Sequence, residues 1–166
     1  MIGEYPRTIY QVGKRILLAS YGLDSDARAL MEKVQLKLIN HSEDQVEPVT
    51  IATVVSALLF DLNYICTPII AGLTRRNEPF LCSMDGLGAQ TISDSFCIAG
   101  TASDGLYAIC EANFRPNLSS GDLVALVETC LREALQRDVL SGCRVQILTM
   151  LPEGEMYLKV FNSEDV

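Results

Sequence analysis

The sequence predicts an α+β protein in which two β-sheets are each covered by a layer of helices. The periodic segments follow the order strand pair, helix pair, three strands, helix pair and strand pair. Two sheets with a helical layer on each outer side bury every apolar face in that order. Apolar residues make up 49% of the chain and charged residues 20%, which supports a core and argues against disorder. The 166 residues are predicted to form one domain, 1–166.

The first part of the chain predicts a hairpin followed by two helices. Residues 8–12 and 16–20 are β-rich runs around a glycine turn. From Ser25 the apolar residues recur at helical spacing, and after Pro48 a second helix is predicted with Thr50 as its cap. The predicted apolar faces are Ala27, Leu30, Met31, Val34 and Leu38 in the first helix, and Ile51, Val54, Val55, Leu58, Leu59 and Leu62 in the second.

The middle of the chain predicts three strands, at residues 65–73, 80–84 and 91–98. Turn chemistry separates them, at Arg76-Asn77 and at the glycine-rich residues 86–88. Because the links are short, we expect a three-strand antiparallel meander.

The last part of the chain predicts two helices and a final hairpin. A short helix is expected over Ser103–Asn113, and residues 119–122 cap a longer helix that Gly142 is placed to end. Residues 143–151 and 155–161 then form the hairpin. The apolar face of the longer helix is predicted to consist of Leu123, Leu126, Val127, Cys130, Leu131, Ala134 and Leu135.

Net charge and hydropathy exclude several classes of partner. The formal net charge is -8 and the pI is about 4.6, which disfavours binding of nucleic acid or anionic membrane through a basic face. No apolar run approaches the length needed to span a bilayer, and no secretory signal opens the sequence. We therefore expect a soluble intracellular protein with no nucleic-acid or membrane partner.

The six cysteines are spread singly along the chain, and none forms a CxxC pair. This spacing does not indicate a zinc site, so neither a metal nor a cofactor is predicted. Cysteines within apolar runs behave as small hydrophobic residues, and free thiols suit a reducing cytosolic or nuclear compartment. The six are Cys66, Cys82, Cys97, Cys110, Cys130 and Cys143.

Four segments carry a resemblance to a known family: residues 68–73, 82–85, 107–111 and 137–142. Together they resemble proteasome beta-type subunits, members of the N-terminal-nucleophile hydrolase superfamily, and look most similar to the beta-type-3 group. The similarity extends from about residue 7 to residue 161 with the elements in family order. Thr74 and Asp122 depart from the family pattern.

The resemblance implies a four-layer α-β-β-α sandwich and a role in protein degradation. In the family, the first two strands carry the nucleophilic threonine, a supporting aspartate and the catalytic lysine. Here the sequence begins Met1-Ile2-Gly3-Glu4, so the expectation is a sandwich lacking the first two strands. The implied function is a non-catalytic subunit of the proteasome core particle beta ring, supporting ubiquitin-dependent protein degradation in the cytoplasm and nucleus. The implied partners are the second and fourth beta types, the opposite beta ring and the alpha ring subunits.

Three residues match positions that support the nucleophile in active family members: Thr101, Asp138 and Ser141. No catalytic residue is predicted, and these matches are interpreted as vestigial. The preferred reading is structural, with Thr101 capping the helix from Ser103 and the other two satisfying backbone groups near a helix end. The one histidine, His41, is expected on an exposed loop without relay geometry.

Two alternatives remain open from the residues alone. The chain could be an active N-terminal threonine peptidase subunit whose nucleophile segment is missing, and cleavage blocked by a threonine-directed inhibitor would identify it. It could also be a shortened, free-standing assembly or interaction paralogue. A stable monomer made of these residues would favour that class.

Overall fold

The computed structural model describes residues 9–40, 46–138 and 144–162. The chain divides into two compact units, Met1–Cys97 and Ile98–Val166, which we describe separately. Predictions that fall on His41, on Ser141 to Cys143 or before Ile9 lie outside the described residues.

Unit 1 is a five-stranded antiparallel sheet with two helices packed on it. The strand order follows the chain order, β1-β2-β3-β4-β5, so both the predicted hairpin and the predicted meander are confirmed. Its elements are β1 (Ile9–Gly13), β2 (Ile16–Gly22), α1 (Asp24–Leu38), α2 (Pro48–Leu62), β3 (Cys66–Leu73), β4 (Pro79–Met84) and β5 (Gln90–Ser93).

The core of unit 1 lies between the sheet and the two helices. Leu18, Ile70 and Cys82 are register partners across β2, β3 and β4, and all three are fully buried. Side chains of register partners point to the same face of a sheet, and these three belong to one buried cluster with residues of α1 and α2, so they line the helix-facing side. The helices contribute the buried residues Ala27, Leu30, Met31 and Val34 from α1 and Ile51, Ala52, Val55, Leu58 and Leu59 from α2.

Helix α2 begins earlier than predicted. Glu47 occupies the N-cap position in an extended conformation, and Pro48 is the first helical residue. Proline suits this position because its missing N–H would have no partner there and its φ is already helical. The predicted cap at Thr50 is therefore wrong, since Thr50 lies inside the first turn. At the other end, Asn63 adopts φ 49° and its N–H donates to the Leu59 carbonyl at 3.0 Å.

Strand β5 is shorter than predicted, because the ladder ends at Ser93 instead of continuing to residue 98. The hydroxyl of Ser93 accepts a hydrogen bond from the Ser95 amide at 3.2 Å. Such local side-chain bonds offer the backbone an alternative to the sheet ladder. Residues 94–98, predicted as the second part of this strand, are irregular.

Unit 2 is an antiparallel hairpin packed against a helix pair. Its elements are α3 (Ser103–Asn113), α4 (Ser120–Arg137), β6 (Arg144–Met150) and β7 (Met156–Asn162), and the last two confirm the predicted final hairpin. Val145, Ile147 and Phe161 are buried in the core of this unit. The face of α4 that covers them consists of Val127, Leu131 and Leu135.

Both ends of α4 can be compared with the sequence prediction. Ser119 is the N-cap, and its hydroxyl accepts a hydrogen bond from the Asp122 amide at 3.2 Å, so the predicted capping segment is confirmed. The helix ends at Arg137, five positions before Gly142. Leu123 is 43% exposed, so its predicted burial is wrong.

The predicted α+β class is confirmed in both units, since each combines helices with an antiparallel sheet. Within the described ranges, no helix is long and apolar enough to cross a membrane.

Candidate functional site

Two of the three predicted site residues lie together in unit 2. Thr101 precedes α3, and Asp138 follows the last residue of α4. Although they are 37 positions apart in sequence, the Thr101 hydroxyl donates a hydrogen bond to the Asp138 carboxylate. The third residue, Ser141, lies outside the described residues, so its role stays a prediction.

The backbone around the Thr101–Asp138 pair brings the two side chains to the same place. Gly100 has φ 117°, a conformation that favours glycine, and it directs the chain into α3. Ala102 occupies the N-cap position of α3 and makes no side-chain cap. The Asp138 amide donates to the Ala134 carbonyl at 2.9 Å, which fixes the backbone beneath its carboxylate.

A cavity of about 190 Å³ adjoins this pair, between α3 and α4. Its charged lining consists of Glu133, Arg137 and Asp138, and Glu133 and Arg137 form an ion pair at 3.3 Å. Gly105 also lines the cavity, and the space beside it is open, since a Cβ added there would have no atom within 4 Å.

The Thr101–Asp138 pair has the chemistry of a structural hydrogen bond and lacks that of a nucleophile with its base. A threonine nucleophile of the N-terminal type uses its own free amine as base, and Thr101 is an internal residue whose nitrogen is a peptide amide. No imidazole lines the cavity among the described residues. The predicted helix cap is also wrong, because the Thr101 hydroxyl donates to Asp138 and α3 has no side-chain cap. The geometry fits a contact that ties the start of α3 to the end of α4.

Sequence reasoning missed a second candidate surface, an apolar end of unit 1. At this end β2 finishes, β3 begins and β4 turns into β5, and the end of α2 leads directly into it. Phe60 is 72% exposed and Ile65 is 70% exposed. Phe60 lies in the last turn of α2, and Ile65 lies beside Leu23, whose amide donates a hydrogen bond to the Ile65 carbonyl at 2.9 Å. The apolar end consists of Tyr21, Leu23, Phe60, Leu62, Ile65 and Leu87, all exposed.

A charged cluster on unit 2 joins α4 to β7. The Glu128 carboxylate accepts hydrogen bonds from Lys159 and, at 2.9 Å, from Arg132. The hydrogen bond from Lys159 and, to a smaller extent, that from Arg132 hold the pKa of Glu128 below its ordinary value. The Arg132 guanidinium lies 4.7 Å from the ring centroid of Phe161, within range of a cation–π interaction. The cluster contacts the core of unit 2 but not the cavity.

The described cysteines are all free: Cys66, Cys82, Cys97, Cys110 and Cys130. The described ranges contain no group of three or more histidine, cysteine or acidic side chains that could hold a metal ion.

The family model and the individual relatives that match this chain all describe proteasome subunits. Residues 4–150 match the family model described as proteasome subunit. The chain is 35% identical over 150 residues to proteasome subunit beta type-3 of Oryza sativa subsp. japonica, covering 87% of this chain and 74% of the relative. It is 34% identical over 159 residues to proteasome subunit beta type-3-A of Arabidopsis thaliana, covering 91% and 78%. A probable proteasome subunit beta type-3 of Schizosaccharomyces pombe is 31% identical over 157 residues, covering 90% and 76%. These matches fit the α+β sandwich of the N-terminal-nucleophile hydrolase type.

Proposed function

Because this chain belongs to the proteasome subunit family, we propose that it is a non-catalytic structural subunit of the beta ring of a proteasome core particle. The observation that carries the proposal is the run of beta type-3 relatives that align with most of the chain. The family match extends from residue 4 to residue 150 and includes parts of both units, which supports a single domain over 1–166.

The absence of catalysis is supported by the engagement of Thr101 with Asp138. In active members of the family the matching positions help to orient the terminal amine of the nucleophile. Here the hydroxyl and the carboxylate are hydrogen-bonded to each other, and Thr101 itself lacks a free amine. The pair therefore suits a structural contact between α3 and α4.

The proposed partners are other proteasome subunits: the second and fourth beta types within the ring, the opposite beta ring and the alpha ring. The apolar end of unit 1 supports assembly, because exposed apolar patches on a folded chain commonly become buried in protein interfaces. Permanent interfaces bury about 2,000–5,000 Å² and are relatively apolar, which agrees with an apolar content of 49%. The net charge of -8 disfavours nucleic acid and anionic membrane as partners.

We further propose that the chain acts in the cytoplasm and nucleus, where the assembly supports ubiquitin-dependent degradation. The support is chemical, since the five described cysteines are free thiols, which suits a reducing compartment.

Native mass spectrometry of the tagged chain, isolated from its own cells, tests the assembly. The expected result is a proteasome-sized complex from which this chain is ejected on activation. A lone species of 18.2 kDa would overturn the ring-subunit proposal and favour a free-standing paralogue.

A covalent probe directed at N-terminal threonine tests the absence of catalysis in the same complex. The expected result is labelling of other subunits and no labelling of this chain. Those labelled subunits are the internal control for probe activity. Labelling of this chain would identify an active threonine peptidase and would leave the assembly proposal intact.

A further inference from the structure

Two cysteines of unit 2 face each other across the helix pair. Cys110 lies in the last turns of α3, and Cys130 lies in the middle of α4. Their Sγ atoms are 3.5 Å apart, with the Cys110 thiol donating to the Cys130 sulfur. Cys130 is 6% exposed, whereas Cys110 is only partly buried. A reagent can therefore approach the pair from the Cys110 side.

We propose that Cys110 and Cys130 form an oxidisable dithiol, which a small-molecule disulfide such as oxidised glutathione converts into a covalent crosslink between α3 and α4. The sulfurs of a disulfide are about 2.05 Å apart, so these two sulfurs must approach each other by about 1.5 Å. Side-chain rotation together with a small shift of the exposed helix α3 can supply this movement, since no residue of α3 is fully buried.

The reaction is a pair of thiol–disulfide exchanges. The Cys110 thiolate attacks one sulfur of oxidised glutathione, the S–S bond of the reagent breaks, and one glutathione thiolate leaves and takes up a proton. The Cys130 thiolate then attacks the Cys110 sulfur of this mixed disulfide, and the second glutathione leaves in the same way. In total the two cysteines lose two protons and two electrons, and one oxidised glutathione becomes two reduced glutathiones.

The environment of Cys110 makes the first exchange slow at neutral pH. Burial, followed by the hydrogen bond with Cys130 and its charge, raises the pKa of Cys110 to about 11. The thiolate is the nucleophile, and its fraction increases with pH. At pH values below this pKa, raising the pH by one unit should therefore speed the first step about tenfold. At neutral pH the crosslink should therefore form slowly and require prolonged exposure to the oxidant.

The test uses the full chain in its native assembly, treated with oxidised glutathione in mildly alkaline buffer and digested without reduction. The expected product is a peptide pair linked through Cys110 and Cys130 that has lost two hydrogen atoms and retains no glutathione. In the Cys130→Ser variant the second exchange cannot occur, so glutathione should remain on Cys110. The Cys110→Ser variant should give neither the linked pair nor that adduct.

Cys97→Ser is the matched control, because it removes a partly buried thiol from unit 1 and leaves the dithiol unchanged. It should give the same yield of linked peptide as the unsubstituted chain. The proposal is overturned if the unsubstituted chain retains glutathione on Cys110 as fully as Cys130→Ser does. It is equally overturned if Cys110 becomes linked to another cysteine, or if the reagent modifies neither member of the pair.

Discussion

The carboxylate of Asp26, in the first turn of α1, accepts a hydrogen bond at 2.8 Å from the backbone amide of Ile65, which is 39 residues further along the chain. The carbonyl of Ile65 accepts a second hydrogen bond, from the Leu23 amide at 2.9 Å. Both backbone groups of Ile65 are therefore bound immediately before β3 begins. This arrangement fixes the connection between α2 and β3 at the apolar end of unit 1.

Replacing Asp26 tests this connection. We expect Asp26→Ala to free the Ile65 amide and to lower the local free energy of opening by about 1 kcal/mol, because one solvent-exposed hydrogen bond is lost. That loss corresponds to amide hydrogen exchange about five times faster at Ile65. Asp26→Asn keeps an acceptor oxygen in the same position and should retain most of the protection. Equal exchange rates in Asp26→Ala and the unsubstituted chain would contradict the assignment.

Gly88 is predicted to be intolerant of any side chain. Its φ is +85°, and a Cβ added there would lie less than 3.0 Å from the carbonyl oxygen of Ser56, on the neighbouring helix α2. Left-handed backbone costs a residue with a side chain about 1–3 kcal/mol, and the clash adds to that cost. We therefore expect Gly88→Ala to lower the melting temperature measured by circular dichroism.

The matched control for Gly88 is Gly86, two positions earlier in the same turn. A Cβ added at Gly86 would be 4.0 Å from its nearest neighbours, the carbonyl oxygens of Cys66 and Tyr64. Gly86→Ala should change the free energy of unfolding by less than about 0.5 kcal/mol. If both alanine variants destabilise the protein equally, the close approach to Ser56 is not the cause.

The N-terminus of α4 should depend on Ser119. Its hydroxyl accepts from the Asp122 amide at 3.2 Å and donates to the Asp122 carboxylate at 2.7 Å. Ser119→Ala should lower the free energy of unfolding by about 1 kcal/mol, the usual cost of losing an N-cap. Urea denaturation measures the loss. Ser120→Ala, at the first residue of the helix, should have little effect on the free energy of unfolding. If it destabilises the protein more than Ser119→Ala does, the assignment of Ser119 as the N-cap is wrong.

Glu128 should make the stability of unit 2 depend on pH. Its pKa lies below the ordinary value of 4.5, first because of Lys159 and then because of Arg132. A carboxylate whose pKa is lower in the folded state stabilises that state above the unfolded pKa and loses this effect as pH falls through the folded value. We expect Glu128→Gln to lower the melting temperature by a constant amount near neutral pH. This difference should shrink as the pH falls below 4.5.

Glu133 provides the control for Glu128, because it pairs with Arg137 on the surface of the same helix at 3.3 Å. Exposed pairs one turn apart contribute little, so Glu133→Gln should produce a much smaller change at every pH. If the melting temperatures of Glu128→Gln and the unsubstituted chain differ by the same amount in acid as at neutral pH, the charge of Glu128 is not the cause of the stabilisation.

The Thr101–Asp138 contact should affect stability and not peptide cleavage. Thr101→Val keeps the shape of the side chain and removes the donor, which should lower the free energy of unfolding by about 1 kcal/mol. Peptide hydrolysis by the purified assembly should remain unchanged. Thr101→Ser is the matched control, since it restores a hydroxyl and should restore stability. A loss of hydrolysis in Thr101→Val at constant complex yield would contradict the structural role.

Hydrophobic periodicity predicted the helices well, whereas local chemistry set their ends. Ala27, Leu30, Met31 and Val34 are buried as their spacing predicts, because an amphipathic helix has one face to bury. Periodicity gives no information about which polar residue caps a helix, so the start of α2 was misplaced. The early end of β5 likewise depends on a serine side chain that competes with the ladder.

The candidate site could be located from the sequence only through the family resemblance. The resemblance matched Thr101 and Asp138 to family positions that support the nucleophile. Their mutual hydrogen bond, however, depends on how α3 packs against α4. The same packing brings together Cys110 and Cys130, which are 20 positions apart and form no motif. Side-chain contacts across a helix pair depend on crossing geometry that a single sequence does not encode locally. The single-domain assignment and the role of Ser141 stay predictions.

The cluster that joins α4 to β7 also makes unit 2 depend on residues that are synthesised late, after the helices they contact. A two-stranded hairpin has little stability of its own in water, so β6 and β7 rely on the face of α4 that covers them. The ribosome makes α4 before it makes β7, and Lys159 and Phe161 are the last residues to reach Glu128 and Arg132. The hairpin therefore depends on α4 for its apolar cover, and the contacts of unit 2 are complete only once β7 has been made.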